Sequence, residues 1–369
     1  MATYISGLCL PTAMLSTGVP YNVTTIEQLT ADIAALNAIL DNTCVTPEPP
    51  RAGLELTWDD IANSPFATFG DLNTFINGNG GAANYTSVEV VGNVQTFYGG
   101  TAVDLGDGFM AANANIVSIR DEAFQVVAQG ANCQKRCDLL ETIALPALVT
   151  QGSACQNANP ALTSLNLQAL TTQTSDCQSS NDTLLSISLP SLITQIDKNQ
   201  NGNTLLTTIN LPLLTTQAGG KKTGNQSSNP ALLSLILPSL TTQATENQSN
   251  NAVLPTISLP LLTTQVSDNQ RSNALLTSIS LPALTAQVSG NQRYNAALTT
   301  FAANALTSQI DSNQADNPLS TTITTPALTS IGTGNYVGCT YNIMTINVDA
   351  SLFGAADILL AQAGGATII

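Results

Sequence analysis

Apolar residues recur along this chain in four columns with a period of 22 residues. A representative unit runs Leu276-Thr-Ser-Ile279-Ser-Leu281-Pro282-Ala-Leu284-Thr-Ala-Gln287-Val-Ser-Gly-Asn291-Gln292-Arg-Tyr-Asn295. Numbered from Leu276 as position 1, its apolar positions are 1, 4, 6 and 9. Position 9 is Leu at 148, 170, 192, 214, 240, 262, 284, 306 and 328, without exception. Positions 4 and 6 alternate with small polar residues, which is the period-2 pattern of a strand. The proline at position 7 lacks an N–H and forces its predecessor extended, so it ends the pairing there. The pattern predicts one short strand per unit. One step, between Pro212 and Pro238, is 26 residues; its four extra residues lie around Gly219-Gly220-Lys221-Lys222 and read as a loop insertion.

A unit of this size cannot bury its apolar side alone and must stack on its neighbours. The expected fold is a β-rich repeat solenoid of 22-residue coils, with parallel stacked strands, over 101–340. At about 4.8 Å per coil, nine coils make a body on the order of 45 Å long.

The polar half of the unit is just as regular. Position 12 is Gln from Gln129 to Gln309, position 17 is Gln from Gln134 to Gln314, and position 20 is Asn from Asn159 to Asn317. Stacked amides can bond along the axis and satisfy turn backbone groups. Ladders are therefore expected through Gln243, Gln265 and Gln287, and through Asn251, Asn273 and Asn295. Asn also tolerates left-handed turns. Position 16 is Cys133, Cys155 and Cys177, then Asn. Adjacent members of this column lie within disulfide reach, but three cannot all pair. The reading preferred here is thiols standing in for the Asn ladder, with a disulfide as the alternative.

The ends of the array carry a further pattern. Cys137-Asp-Leu-Leu140-Glu-Thr-Ile143-Ala-Leu145-Pro146, Leu328-Thr-Ser-Ile331-Gly332 through Tyr336 to Cys339, and Ile119-Arg-Asp-Glu-Ala123-Phe124 together resemble the leucine-rich repeats of the BspA-like (Treponema) type. Such repeats occur in bacterial surface proteins and some phage proteins. The resemblance covers about 100–340. It implies a solenoid used for protein or glycan contact, not a catalytic fold. The central copies depart from it, with Gln at positions 12 and 17 where the family has an aliphatic and an aromatic residue.

Outside the repeat, Thr24-Thr-Ile-Glu27 has capping-box spacing. Ile26, Leu29, Ile33, Leu36 and Leu40 follow a heptad rhythm. A helix over about 24–42 is expected, either packed on its own chain or, as preferred here, forming an oligomerisation stalk, with a trimer favoured. Residues 1–50 read as an N-terminal anchor, 51–100 as a linker and small capping region, and 341–369 as a C-terminal cap with a short helix at Leu352–Ala363.

Composition narrows the chemistry. Charged residues make up 9% of the 369 residues, and Lys+Arg 9 against Asp+Glu 24 give a net charge of −15. Nucleic-acid binding is not expected, since it needs clustered Lys and Arg. Histidine is absent, which removes Ser-His-Asp and Cys-His catalysis and His-ligated metals. The acids that recur at one turn position, such as Asp176, Glu246 and Asp268, are too far apart for a calcium cage. No enzyme, cofactor or metal is expected. Met1 to Pro20 does not read as a secretory signal, and no apolar stretch is long enough to insert in a membrane.

These observations favour a structural or binding protein: a virion (phage) fibre or spike subunit, joined to other virion proteins through its N-terminus and displaying the solenoid to a host-surface glycan or protein. A cellular surface adhesin of the leucine-rich-repeat kind is the alternative, with a virion, cell-surface or extracellular location accordingly. Ice binding through Thr rows is a distant third. The candidate ligand face is the outward strand row: Thr142, Ser164, Ser186, Thr208, Ser234, Thr256, Ser278 and Thr300, with Asn166 and Asn210 beside it. Should recognition lie elsewhere, the turns carrying Lys221, Lys222, Arg271, Arg293 and Tyr294 come next.

Overall fold

The computed structural model describes residues 117–121, 126–218 and 224–369, with Asp107, Ala111 and the backbone of three earlier strands, Leu54–Leu56, Ser87–Val90 and Val103–Asp104. The heptad residues Ile26, Leu29, Ile33, Leu36 and Leu40 lie outside the described residues, as do Ala123, Phe124, Lys221 and Lys222.

Each coil contributes two strands, not the single one expected. The first occupies positions 3–5, as in Ser186–Ser188, Thr208–Asn210 and Ser278–Ser280, and builds a front sheet. The second begins at position 11, as in Thr194–Asp197, Thr264–Ser267 and Ala286–Ser289. It builds a back sheet of 11 parallel strands. The second strand escapes a hydrophobicity pattern because its inward residue is Gln. A buried amide normally opposes strand burial, but through the middle of the array these amides find amide partners on adjacent coils, which offsets the cost of burying them; Gln129, Gln151 and Gln287 each keep one buried atom without a partner.

Pairing is parallel and in register: Ile187 faces Ile209, Ile209 faces Leu235, and Gln217 faces Gln243. Register therefore survives the 26-residue step. The front sheet breaks at two places, after Ser164–Asn166 and after Ser234–Ile236. These are two strands whose central residue is Leu (Leu165, Leu235) where most have Ile, and both Leu side chains are only partly buried. A γ-branched side chain fits the pleated inner face less well than a β-branched one.

The apolar columns fill the space between the sheets. Every position-9 Leu from Leu148 to Leu328 is fully buried, as are Ile143, Ile209 and Phe301 at position 4. The return arch holds alternating left-handed residues at positions 15, 17 and 19, for example Asp268, Gln270 and Ser272 (φ 57°, 51° and 57°). The left-handed places fall on Gln and its neighbours, whereas the Asn columns at 16 and 20 do not take them.

The sheet also extends beyond 101–340. Leu54–Leu56 pairs with Ser87–Val90, which pairs with Ser118–Asp121, inside the stretch expected to be linker and cap. At the other end Thr345–Val348 and Thr367–Ile368 add two more front-sheet strands. Between them lies α1 (Ala356–Ala363), shorter than the expected 352–363 because Ala350–Leu352 forms a separate 3-10 turn. Among the described residues no helix is long and apolar enough to cross a membrane.

Candidate binding faces and the polar core

The Gln columns at positions 12 and 17 form a buried network that runs from Gln134 to Gln314, with two separate pieces at its ends, Gln129–Gln151 and Gln287–Gln309. Gln270 donates to Gln248 (3.0 Å) and to Gln243 (2.8 Å) on the preceding coil. It accepts from Gln265 of its own coil (2.6 Å) and from Gln292 of the next (2.9 Å). Gln265 donates to Gln243 (3.0 Å), and Gln243 to Gln217 (3.0 Å). In mid-array both donors of each amide and two lone pairs of its carbonyl are engaged. Between coils, donation runs toward the preceding coil, except that Gln129 donates forward to Gln151 and Gln287 forward to Gln309. Gln287 thus departs from the expected ladder: no bond links it to Gln265. Gln309 in turn donates to the Tyr336 hydroxyl (3.5 Å), so this end piece closes on the phenol. Burial pushes the Tyr336 phenol well above its ordinary range.

The Asn columns work through the backbone. Asn273 accepts from the Asn251 N–H (2.8 Å) and donates to the Gln248 carbonyl (3.0 Å), and Asn295 repeats this on Asn273 (2.9 Å) and Gln270 (2.9 Å). Each side chain therefore ties together two backbone groups of the coil before it, rather than meeting its neighbour amide to amide. The position-16 column does both: Asn269 bonds Asn291 through its backbone N–H (3.0 Å) and its side-chain amide (3.1 Å), and reaches back to the Ala244 carbonyl (2.8 Å).

That last bond explains how Cys and Asn share a column. Cys155 donates to the Gly130 carbonyl (3.0 Å) and Cys177 to the Gly152 carbonyl (3.2 Å), the same position-13 oxygen that Asn269 reaches. Cys133 also donates to Gly130 (3.5 Å), so the three sulfur atoms form one hydrogen-bonded buried column of thiols. Its thiol neighbours Cys133 and Cys177, and then burial, push the Cys155 thiol up. Cys339, at the far end of the position-20 column, is pushed up to about 11 by burial. Among the described residues no set of three or more Cys, Asp or Glu is gathered to hold a metal.

The outer surface divides by charge. From Leu140 to Gly332, positions 1–13 of the coils carry a single charged residue, Glu141, and the other charges among the described residues lie in the return arch. There Arg271 pairs with Asp268 (2.8 Å), and Arg293 pairs with Asp316 (3.2 Å) while stacking over the Tyr294 ring at 4.6 Å. The two arginines suggested by the sequence as an alternative site are thus already engaged by the chain's own acids.

The candidate row at position 3 lies on the outside of the front sheet. Ser164, Ser186 and Thr256 are exposed, and Thr142, Thr208, Ser234, Ser278, Thr300, Asn166 and Asn210 are partly exposed. The Thr row beside it, at position 2, spends its hydroxyls on the preceding coil: Thr207 donates to the Leu185 carbonyl (3.0 Å) and Thr277 to Pro255 (3.0 Å). Position-10 Thr does the same, Thr241 to Thr215 (3.0 Å) and Thr263 to Thr241 (3.1 Å). The position-3 hydroxyls and the two Asn amides have no such internal partner. Sequence reasoning did not find the back sheet's outward rows at positions 11 and 13, nor Asp357, whose carboxylate caps the position-16 column.

No family model matches the chain, and no curated protein does. Three solved structures share weak likeness with it. A leucine-rich repeat protein from Bacteroides ovatus is 13% identical with a TM-score of 0.24, covering 68% of this chain and 77% of its own. The pneumococcal vaccine antigen PcpA is 13% identical with a TM-score of 0.23, over 77% and 79%. The functional domain of InlJ from Listeria monocytogenes, which includes a cysteine ladder, is 14% identical with a TM-score of 0.17, over 67% and 59%.

Proposed function

We propose that this chain is a non-enzymatic surface-display protein whose front sheet takes a neutral, repetitive glycan. The observation that carries the reading is the contrast between adjacent rows. Position-2 and position-10 hydroxyls are consumed by backbone carbonyls, whereas the hydroxyls of Ser164, Ser186 and Thr256 and the amides of Asn166 and Asn210 are unspent and outward. A charge-free lattice of small donors and acceptors, repeating about every 4.8 Å, suits many modest hydrogen bonds. It lacks the Trp, Tyr and Arg anchors of a protein hot spot.

The finer reading is a virion fibre or spike, assembled as a trimer through Ile26, Leu29, Ile33, Leu36 and Leu40 and held to other virion proteins by the N-terminus. A cellular adhesin displays the same face and is the second reading; the protein's presence in purified particles separates the two. Ice binding has less support, because Thr215, Thr241 and Thr263 spend their hydroxyl donors on carbonyls of the preceding coil. The test is the triple substitution Ser234→Lys, Thr256→Lys and Ser278→Lys, read on glycan arrays and on host cells. Loss of binding with an unchanged melting curve supports the front face. Binding that survives moves recognition to another surface.

A further inference from the structure

We propose that the C-terminal cap is a self-association surface on which a second copy of this chain docks end to end. A solenoid cap ordinarily needs a polar outer face to stay soluble. This one shows the reverse. α1 buries Ile358 and Ala361 against the last coils and turns Leu359 and Leu360 outward, 49% and 52% exposed. Ile343, Phe353 and Ile369 are also about half exposed. The only outward polar side chain of α1 is Gln362.

Charge points to the occupant. From Asn317 to Ile369 the charged side chains are Asp349 and Asp357 alone, and Asp357 is buried on the Gly334 and Asn335 N–H groups. The whole chain carries −15. Two copies approaching through their arches bring like charges within a Debye length of about 8 to 10 Å. Approaching cap to cap, each copy presents one partly exposed side-chain carboxylate, Asp349, and an apolar face. The cap also holds the last strand of the front sheet, Thr367–Ile368, which pairs on one side only. In a two-fold arrangement this edge can meet its counterpart antiparallel, adding direction to an otherwise unspecific apolar contact. The arrangement is independent of the N-terminal heptads and of glycan binding.

The full chain carrying Ile33→Asp and Leu36→Asp, which removes the heptad seam, is sedimented at micromolar to tens of micromolar concentration. A dimer is expected, and adding Leu359→Asp with Leu360→Asp, both at half-exposed sites, should halve the mass. Fold is monitored by circular dichroism. A second measurement does not disturb the patch: an added Cβ at Gly354 meets nothing within 4 Å, so Gly354→Cys can be joined by a short bis-maleimide. Covalent dimers linked 354 to 354 support the cap contact. A heptad variant that stays monomeric, a dimer untouched by the Asp pair, or a monomer that floats with phosphatidylcholine vesicles through the cap overturns it. Glycan binding should be the same in every variant.

Discussion

Asp357 lies 22 residues beyond Asn335 and accepts its backbone N–H at 2.6 Å, the place that an Asn side chain fills from Asn199 to Asn335. It takes the Gly334 N–H as well, at 3.1 Å. A carboxylate at the start of α1 therefore closes a ladder that would otherwise end on buried donors. Asp357→Ala should cost about 1–3 kcal/mol for each N–H left without a partner. Hydrogen exchange should then speed up over 330–369 while the middle coils stay protected. Asp357→Asn keeps the acceptor and should cost less; equal loss in both variants would show that the cap acts otherwise.

Removing a single amide from the network should be worse than its own lost bonds. Gln270→Leu deprives Gln265 and Gln292 of an acceptor, and Gln243 and Gln248 of a donor. With unsatisfied buried groups at about 1–3 kcal/mol each, the urea midpoint should fall further than for Leu240→Ala, which is expected to cost about 2–5 kcal/mol. Leu240→Asp places an unpaired charge among fully buried leucines and should abolish folding of the central coils.

The gap after Leu165 offers a gain rather than a loss. Leu165→Ile restores the side chain found at Ile143 and Ile187 on either side. It should close the front sheet there, and slower amide exchange at Ser186–Ser188 is the readout.

Cys339 should be a slow nucleophile. With its thiol held at about 11 by burial, alkylation of the native protein at pH 8 should lag behind a free thiol and accelerate through about pH 11. The folded value lies above the unfolded one of about 8.5. The stability from this group is therefore full below that unfolded value and fades as pH rises through about 11. A Cys339→Ser variant should lose part of this alkaline sensitivity.

Much of this architecture could be read from the residues alone, and the exceptions share a cause. Leu148 through Leu328 announce a core column because Leu has few other reasons to recur every 22 residues. Gln265 and Gln270 gave no hint of a strand or a left-handed turn, since their burial depends on partners one coil away, outside any local window. Gln270 adopts φ 51° in spite of a penalty of about 1–2 kcal/mol for that backbone region, which four amide bonds offset. Asp357 could have been found by counting 22 from Asn335, but a helix begins there and hides the column. The hydroxyl contrast between Thr207 and Thr208 is invisible in sequence, because which one meets a carbonyl depends on the pleat.

The uniform direction of the amide bonds bears on how such a protein changes over generations. A mid-array coil asks of the coil beneath it what it offers to the coil above. A recombination event that copies or drops one whole unit in that stretch leaves every Gln and Asn matched, whereas one that cuts a unit in part strands several at once. The length of the stacked array is therefore adjustable in whole steps of about 4.8 Å, with selection acting on the number of coils while the contacts inside each step stay as they are.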